Sequence, residues 1–333
     1  MKKQSLNIPQ LIQRFFSEYL PNQRNCSPNT IASYGDSFRL FLEYMLEFHR
    51  VVPSRITLAD ISAQNVLAFL NHLEKDRKNG IATRNSRLAA IRSFLHYLLI
   101  LNPTLAGNVQ GVMRIPQKKK KKKVLEYLTR EEIDAVIDAT SKDTWSGRRD
   151  KVMFQLMYNT GARVSEIIDL KVSDIRIESK GVIHFLGKGR KERHMPLWKN
   201  TVSMLRQWIK ANRYTDDSPL FLSNRNQKLS RSAVTKRLED AVKKAIPLCP
   251  TLKKCHVSPH TIRHTTAMHL LQKGNDITVI AMWLGHERIE TTHIYIAADM
   301  KMKTKALGSL QEPSRKNSLF KASDSLLAFF DNL

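Results

Sequence analysis

A chain of 333 residues, 42% of them apolar, is long enough to fill two ordinary domain cores. Fifty-five Lys and Arg against thirty Asp and Glu leave a net charge of +25 and a pI near 10.1, an excess that points to a polyanionic partner, nucleic acid ahead of an anionic membrane surface. No apolar run is long enough to cross a bilayer, Met1-Lys2-Lys3-Gln4 lacks the apolar core of a secretory signal, and Cys26, Cys249 and Cys255 cannot build a disulfide framework, so a cytoplasmic protein without a membrane role is expected.

The first hundred residues read as four helices. Ile8, Leu11, Ile12, Phe15, Phe16 and Tyr19 recur at spacings of three and four, the stripe of an amphipathic helix. Ser27-Pro28 is a start signal for the second, whose buried face is Ile31, Tyr34, Phe38, Phe41, Leu42 and Met45. A third opens at Ser62 with Val66, Phe69, Leu70 and Leu73 inside, and a fourth follows Gly80 through Leu88, Ile91, Leu95 and Leu98. The polar face of the fourth carries Arg84, Asn85, Arg87 and Arg92, long or hydrogen-bonding groups suited to phosphates and base edges; the plain alternative is a solvated face.

After Asn102-Pro103 the pattern loosens. Residues 1–105 are therefore taken as one helical domain and 106–124 as a basic linker containing Lys118, Lys119, Lys120, Lys121, Lys122 and Lys123. Such a run suits backbone phosphates, and each one neutralised steepens log affinity against log salt by about 0.9. Thr129-Arg130-Glu131-Glu132 is a helix cap that opens a second domain over 125–304. There Val152, Phe154, Leu156 and Met157 predict a helix ending at Asn159-Thr160-Gly161, and Val164, Ile167, Ile168 and Leu170 begin another. The period then changes to two. Ile175 to Ile177, Val182 to Leu186 and Arg193 to Leu197, separated by Lys180-Gly181 and Gly187-Lys188-Gly189-Arg190, predict a three-stranded antiparallel sheet. Helices resume from Val202, and Ser258 to Tyr295 reads as helical except at Gly274 and Gly285. The fold class expected is mainly α, with an α+β second domain.

One ordered series names a chemistry: Arg163 in Thr160-Gly161-Ala162-Arg163, Lys188 in Gly187-Lys188-Gly189, His260-Thr261-Ile262-Arg263, His286 after Leu284-Gly285, and Tyr295 nine residues beyond it. Transfer of a phosphodiester to a phenol needs charge neutralisation, a proton for the leaving 5′ oxygen and removal of the phenol proton. Arg163 and Arg263 offer planar, permanently charged forks for the non-bridging oxygens. His260 and Arg263, three apart, share a helix face, so one phosphate could touch both and the imidazole could take the phenol proton. A free tyrosine titrates near pH 10, so Tyr295 needs such help. His286 is expected to donate to a phosphate oxygen, and Glu166 to orient Arg163 or a histidine, with a surface glutamate nearly as good a description.

At these residues the chain resembles the tyrosine recombinase family, also called phage integrases, and the resemblance extends over almost the whole length. It implies an N-terminal four-helix, SAM-like core-binding domain that grips DNA, with Thr30, Tyr34 and the Thr83 to Tyr97 segment in its two principal helices. It implies Lys188 as general acid, Tyr295 as the nucleophile joined to a 3′ phosphate, a Holliday junction, a homotetramer on double-stranded DNA sites from a free monomer or weak oligomer, and no cofactor. An accessory directionality protein is left open. Cys249, Cys255, His256, His260 and His264 have spacings a zinc site could use, but a cation there conflicts with Arg263 and with a phosphate role for His260, so no metal is expected. In the tail, 305–333, Leu326, Leu327, Phe329, Phe330 and Leu333 suggest a short helix behind Pro313, folded back or exchanged with a neighbouring protomer. A type IB topoisomerase, a silent DNA-binding accessory protein and Xer-type chromosome dimer resolution are the competing functions. The lysine tract, the Leu248 to Val257 segment and the tail tilt the expectation towards integration or excision of a mobile element.

Overall fold

The computed structural model describes residues 7–119, 125–177, 181–186, 192–286 and 289–298; the backbone alone is described for 296–298. It divides into two compact units, 1–122 and 123–333.

In the first unit α1 (Ile8–Arg14) begins at Asn7, whose side chain accepts from the Gln10 amide, and runs into a π-helical stretch, Phe15–Gln23. Pro21 lies inside that stretch and supplies no amide hydrogen, a local reason for the wider winding. The expected stripe drifts accordingly: Ile8, Phe15, Tyr19 and Leu20 are buried, while Leu11, Ile12 and Phe16 pack at its margin. Helix α2 (Pro28–His49) is capped by Ser27, α3 (Ala63–Lys75) by Ser62, and α4 (Ile81–Leu101) starts after Gly80, as the start signals predict. Phe15, Phe38 and Phe94 meet edge-on or tilted at 5.4 to 6.3 Å, and Phe41 meets Phe69 at 5.3 Å, which knits the helices into one core.

The stretch after Asn102 is not an open linker from residue 106. Ala106–Met113 forms a fifth helix, α5, and Val109, Val112 and Ile115 are buried in the same core. Its C-terminal carbonyls are satisfied from α4: the Arg92 guanidinium donates to the oxygens of Val112 at 3.4 Å, Met113 at 2.8 Å and Ile115. Lysine 118 is also tied down. Its amide donates to Asn85 Oδ1 at 3.1 Å, Asn85 Nδ2 donates to its carbonyl at 2.9 Å, and its ammonium lies 2.7 Å from Glu74.

The second unit opens with α6 (Arg130–Asp138), where Thr129 and Glu132 form the predicted reciprocal cap at 3.2 and 2.8 Å. Helix α7 (Trp145–Thr160) ends at Gly161, in the left-handed region at φ 61°, and α8 (Val164–Ile168) follows. The antiparallel sheet has the order β1 (Ile175–Arg176), β2 (Val182–Leu186), β3 (Glu192–Pro196), the last starting one residue earlier than predicted. Ile183 pairs with Met195 and both face the core, whereas His184 and His194 pair on the other face with rings stacked 4.8 Å apart. Helices α9 (Lys199–Asn212), α10 (Arg231–Ala245), α11 (Pro259–Gln272), α12 (Ile277–Leu284) and α13 (His293–Ala298) complete the unit. The Thr265 hydroxyl of α11 receives the Leu128 amide at 2.9 Å, which fixes α11 against the segment entering α6. Among the described residues, no helix is long and apolar enough to cross a membrane.

Candidate active site

Two helix C-termini and one buried arginine frame the site. Helix α7 ends in Gly161 and α12 in Gly285, both left-handed caps, so each leaves carbonyls without intrahelical partners. Arg263, on α11 and 4% exposed, donates to the carbonyls of Gly161 and Leu284, each at 2.7 Å. The negative ends of both helices thus hold a cation. Burial, then the neighbouring Arg163, lowers the Arg263 guanidinium to about 10, still charged at neutral pH. A Cβ on Gly161 would stand 2.7 Å from Leu284 Cδ2, so the close approach of α7 and α12 requires glycine as well as the positive φ.

Arg163 precedes α8. Its amide and Nη1 donate to the two oxygens of Glu166 at 2.7 and 3.0 Å, and Nη2 reaches the Gly285 carbonyl at 3.3 Å. The same carboxylate receives Arg193 from β3 at 2.9 and 2.7 Å, while that guanidinium lies over the Phe185 ring at 4.7 Å. One buried carboxylate therefore links helix α8, the sheet and Arg163. Burial alone would raise Glu166, but the hydrogen bond and charge of Arg193, with those of Arg163, outweigh it and hold the carboxyl below its ordinary value.

Tyr295, on α13, is 1% exposed. Its hydroxyl lies 3.0 Å from His264 Nδ1, its ring is parallel to His286 at 6.4 Å and 7°, and it meets the His264 ring at 5.7 Å and 61°. His286 is anchored by Nδ1 to the Thr292 hydroxyl at 2.7 Å. Burial raises the Tyr295 phenol to about 12, opposed by the charges of Arg263 and Arg163. Burial also depresses both imidazoles: His264, with help from His260 and Arg263, and His286, with help from Arg263 and Arg163, each fall to about 4. His260 lies one turn before His264, with ring centroids 6.5 Å apart; the residue is exposed, and partial desolvation of its ring, then Arg263 and Arg163, lower its pKa.

The structure thus gathers Arg163, Glu166, Arg263, His286 and Tyr295 and sets His260 at their edge. It brings His264, not His260, to the phenol. The sequence places His264 only within the Cys/His cluster and Arg193 only at the start of the third strand; the i+4 spacing of His264 from His260 is the available signal. Cys249 and Cys255 instead surround Thr251, whose hydroxyl donates to Glu132 at 2.6 Å. Lys188, Lys120, Lys121, Lys122, Lys123 and the tail 305–333 lie outside the described residues.

The arginines expected to face phosphates on α4 all have partners within the first unit. Arg84 is 3% exposed and lies 3.2 Å from Glu74. Arg87 donates to the Ser33 carbonyl and Ser37 hydroxyl at 3.1 and 3.0 Å, and Arg92 closes α5. These cations find partners on other helices, which their place on a polar stretch of sequence does not disclose. Thr30 and Tyr34 are half-buried, the former with its hydroxyl 2.9 Å from Ser27 Oγ.

Residues 126–302 match the phage integrase family and residues 12–100 the phage integrase N-terminal SAM-like domain. A provisionally named integrase/recombinase of Sinorhizobium fredii, y4rC, is 40% identical over 98% of this chain and 98% of its own length. Tyrosine recombinase XerD of Oceanobacillus iheyensis is 32% identical over 85% of this chain and 92% of its own. Among solved structures, a lambda integrase tetramer bound to a Holliday junction shares the fold with a TM-score of 0.63 and 18% identity, over 88% of this chain and 78% of that one. The chain belongs to the phage integrase family and is a tyrosine-type site-specific DNA recombinase.

Proposed function

We propose that Tyr295 is the nucleophile. Its oxygen attacks the scissile phosphorus, the bond from phosphorus to the 5′ oxygen breaks, and DNA is left joined to the enzyme through a 3′ phosphotyrosine. Arg163 and Arg263 neutralise the charge that develops on the non-bridging oxygens, and His286 donates to one of them. Lys188 gives its proton to the departing 5′ oxygen, and His260, exposed at the rim, takes the phenol proton. Glu166 keeps Arg163 aimed. The phosphotyrosine ester conserves the energy of the broken bond, so a 5′ hydroxyl from a partner strand reseals it without nucleotide or metal.

The observation that carries this reading is the burial of one phenol between the rings of His264 and His286, with Arg263 and Arg163 held to the Leu284 and Gly285 carbonyls that directly precede His286. Two rounds of exchange pass through a Holliday junction in a homotetramer, a reading supported by the lambda integrase tetramer on such a junction. Thr30, Tyr34 and Asn85 of the first unit and the run Lys118 to Lys123 are the DNA contacts outside the active site, and the work is done in the cytoplasm. The biological role is movement of a mobile element. The integrase/recombinase y4rC covers 98% of this chain at 40% identity, against 85% at 32% for XerD, and this supports an integrase role over chromosome dimer resolution. A nicked suicide duplex bearing the recombination site, recovered from DNA flanking the encoding locus, tests the chemistry. Wild type accumulates a covalent protein–DNA adduct and Tyr295→Phe accumulates none; equal adduct in both defeats the assignment.

A further inference from the structure

Resting on the assignment of Tyr295 as nucleophile, we propose that His264 is a positioning residue that holds the phenol of Tyr295 at the edge of the phosphate pocket. The ring of Tyr295 is confined on two sides, parallel to His286 and inclined to His264. His286 is itself fixed to Thr292, which is wholly buried. These contacts restrict the ring plane but leave the direction of the O–H undetermined. His264 Nδ1, 3.0 Å from the oxygen, is the group that fixes it.

The donor and acceptor roles follow from the surroundings. His264 lies one residue beyond Arg263 and one turn beyond His260, and burial with these neighbours keeps its ring neutral at pH 7. The phenol, buried beside it, keeps its proton. The O–H therefore donates to Nδ1, with the ring proton on Nε2. With the imidazole depressed and the phenol raised by burial, the proton stays on oxygen. His264 is thus a holder and not the base, which leaves proton removal to a group that meets the phenol once phosphate is bound. A buried hydroxyl without this acceptor would also be unsatisfied and would turn to other partners.

Single-turnover cleavage of the suicide duplex by the full chain separates this role from a structural one. The rate is followed as protein concentration is raised, for wild type, His264→Ala and His264→Asn. Asparagine retains a short side chain with an oxygen acceptor near the place of Nδ1. The expected result is a fall of about tenfold or more in the maximal rate for His264→Ala, an unchanged half-saturating concentration, and recovery of much of the rate in His264→Asn. The proposal is overturned if His264→Ala matches or exceeds wild type, if half-saturation shifts along with the rate, or if both variants lose activity alike. Absence of a Tyr295 adduct in wild type is a separate result: it removes the nucleophile assignment itself.

Discussion

Exchanging Glu166 for glutamine keeps the volume of the side chain and removes its charge. The carboxylate accepts four hydrogen bonds, from the Arg163 amide and Nη1 and from two nitrogens of Arg193, at 2.7 to 3.0 Å. Glutamine presents one oxygen, and its amide hydrogens face a guanidinium that has nothing to accept them with. Breaking a buried ion pair costs about 3–5 kcal/mol, but Arg163 is 30% exposed and water can take up part of its charge, so about 2–4 kcal/mol is expected. All four tryptophans, Trp145, Trp198, Trp208 and Trp283, lie in the second unit, so tryptophan fluorescence during urea unfolding reports that unit alone. The midpoint should fall by about 1–2 M, given a slope on the order of 2 kcal/mol/M. Cleavage of the suicide duplex should slow by about tenfold or more because Arg163 loses its orientation. An unchanged midpoint together with unchanged cleavage would refute the view that this carboxylate links the sheet to Arg163.

Gly161→Ala should lower the stability read from the same urea transition by about 2–4 kcal/mol, because a left-handed alanine is strained and its Cβ meets the wholly buried Leu284; a neutral effect would show that α7 and α12 can separate. Arg84→Ala should destabilise the first unit by about 2–4 kcal/mol, read as faster amide exchange in α3 and α4, and should leave the salt dependence of DNA binding unchanged. A salt slope lower by about 0.9 with normal exchange would instead make Arg84 a phosphate ligand. His264 and His286 lie at about 4 when folded against an ordinary 6.5, so the unfolded chain binds protons first as pH falls. Their contribution is complete above pH 6.5 and drains away towards pH 4, with at most about 2 kcal/mol lost from each at pH 5. A urea midpoint that stays constant from pH 7.5 to 5 would contradict that burial of neutral rings.

Local signals carried far along this chain. Ser27, Ser62, Gly80 and Thr129 each mark a helix start, and Gly161 and Gly285 mark ends, because capping chemistry is written within a few residues. Helix α5 escaped because it is short, contains Gly107 and Gly111, and draws its closure from Arg92 on another helix. The same long-range pairing hid the roles of Arg84 and Arg87. In the site, the ordered Arg, His-x-x-Arg, His, Tyr series was legible since those residue types suit one reaction. The contacts of Arg193 with Glu166 and of His264 with Tyr295 span 27 and 31 residues and exist only once the sheet and α11 are packed.

The most direct measurement is the identity of the atom bonded to DNA. Wild-type protein trapped on the suicide duplex, digested with protease and nuclease and read by mass spectrometry, should yield a nucleotide phosphate on the peptide containing Tyr295 and on no other. A phosphate carried by another tyrosine, or by serine or lysine, would contradict the account.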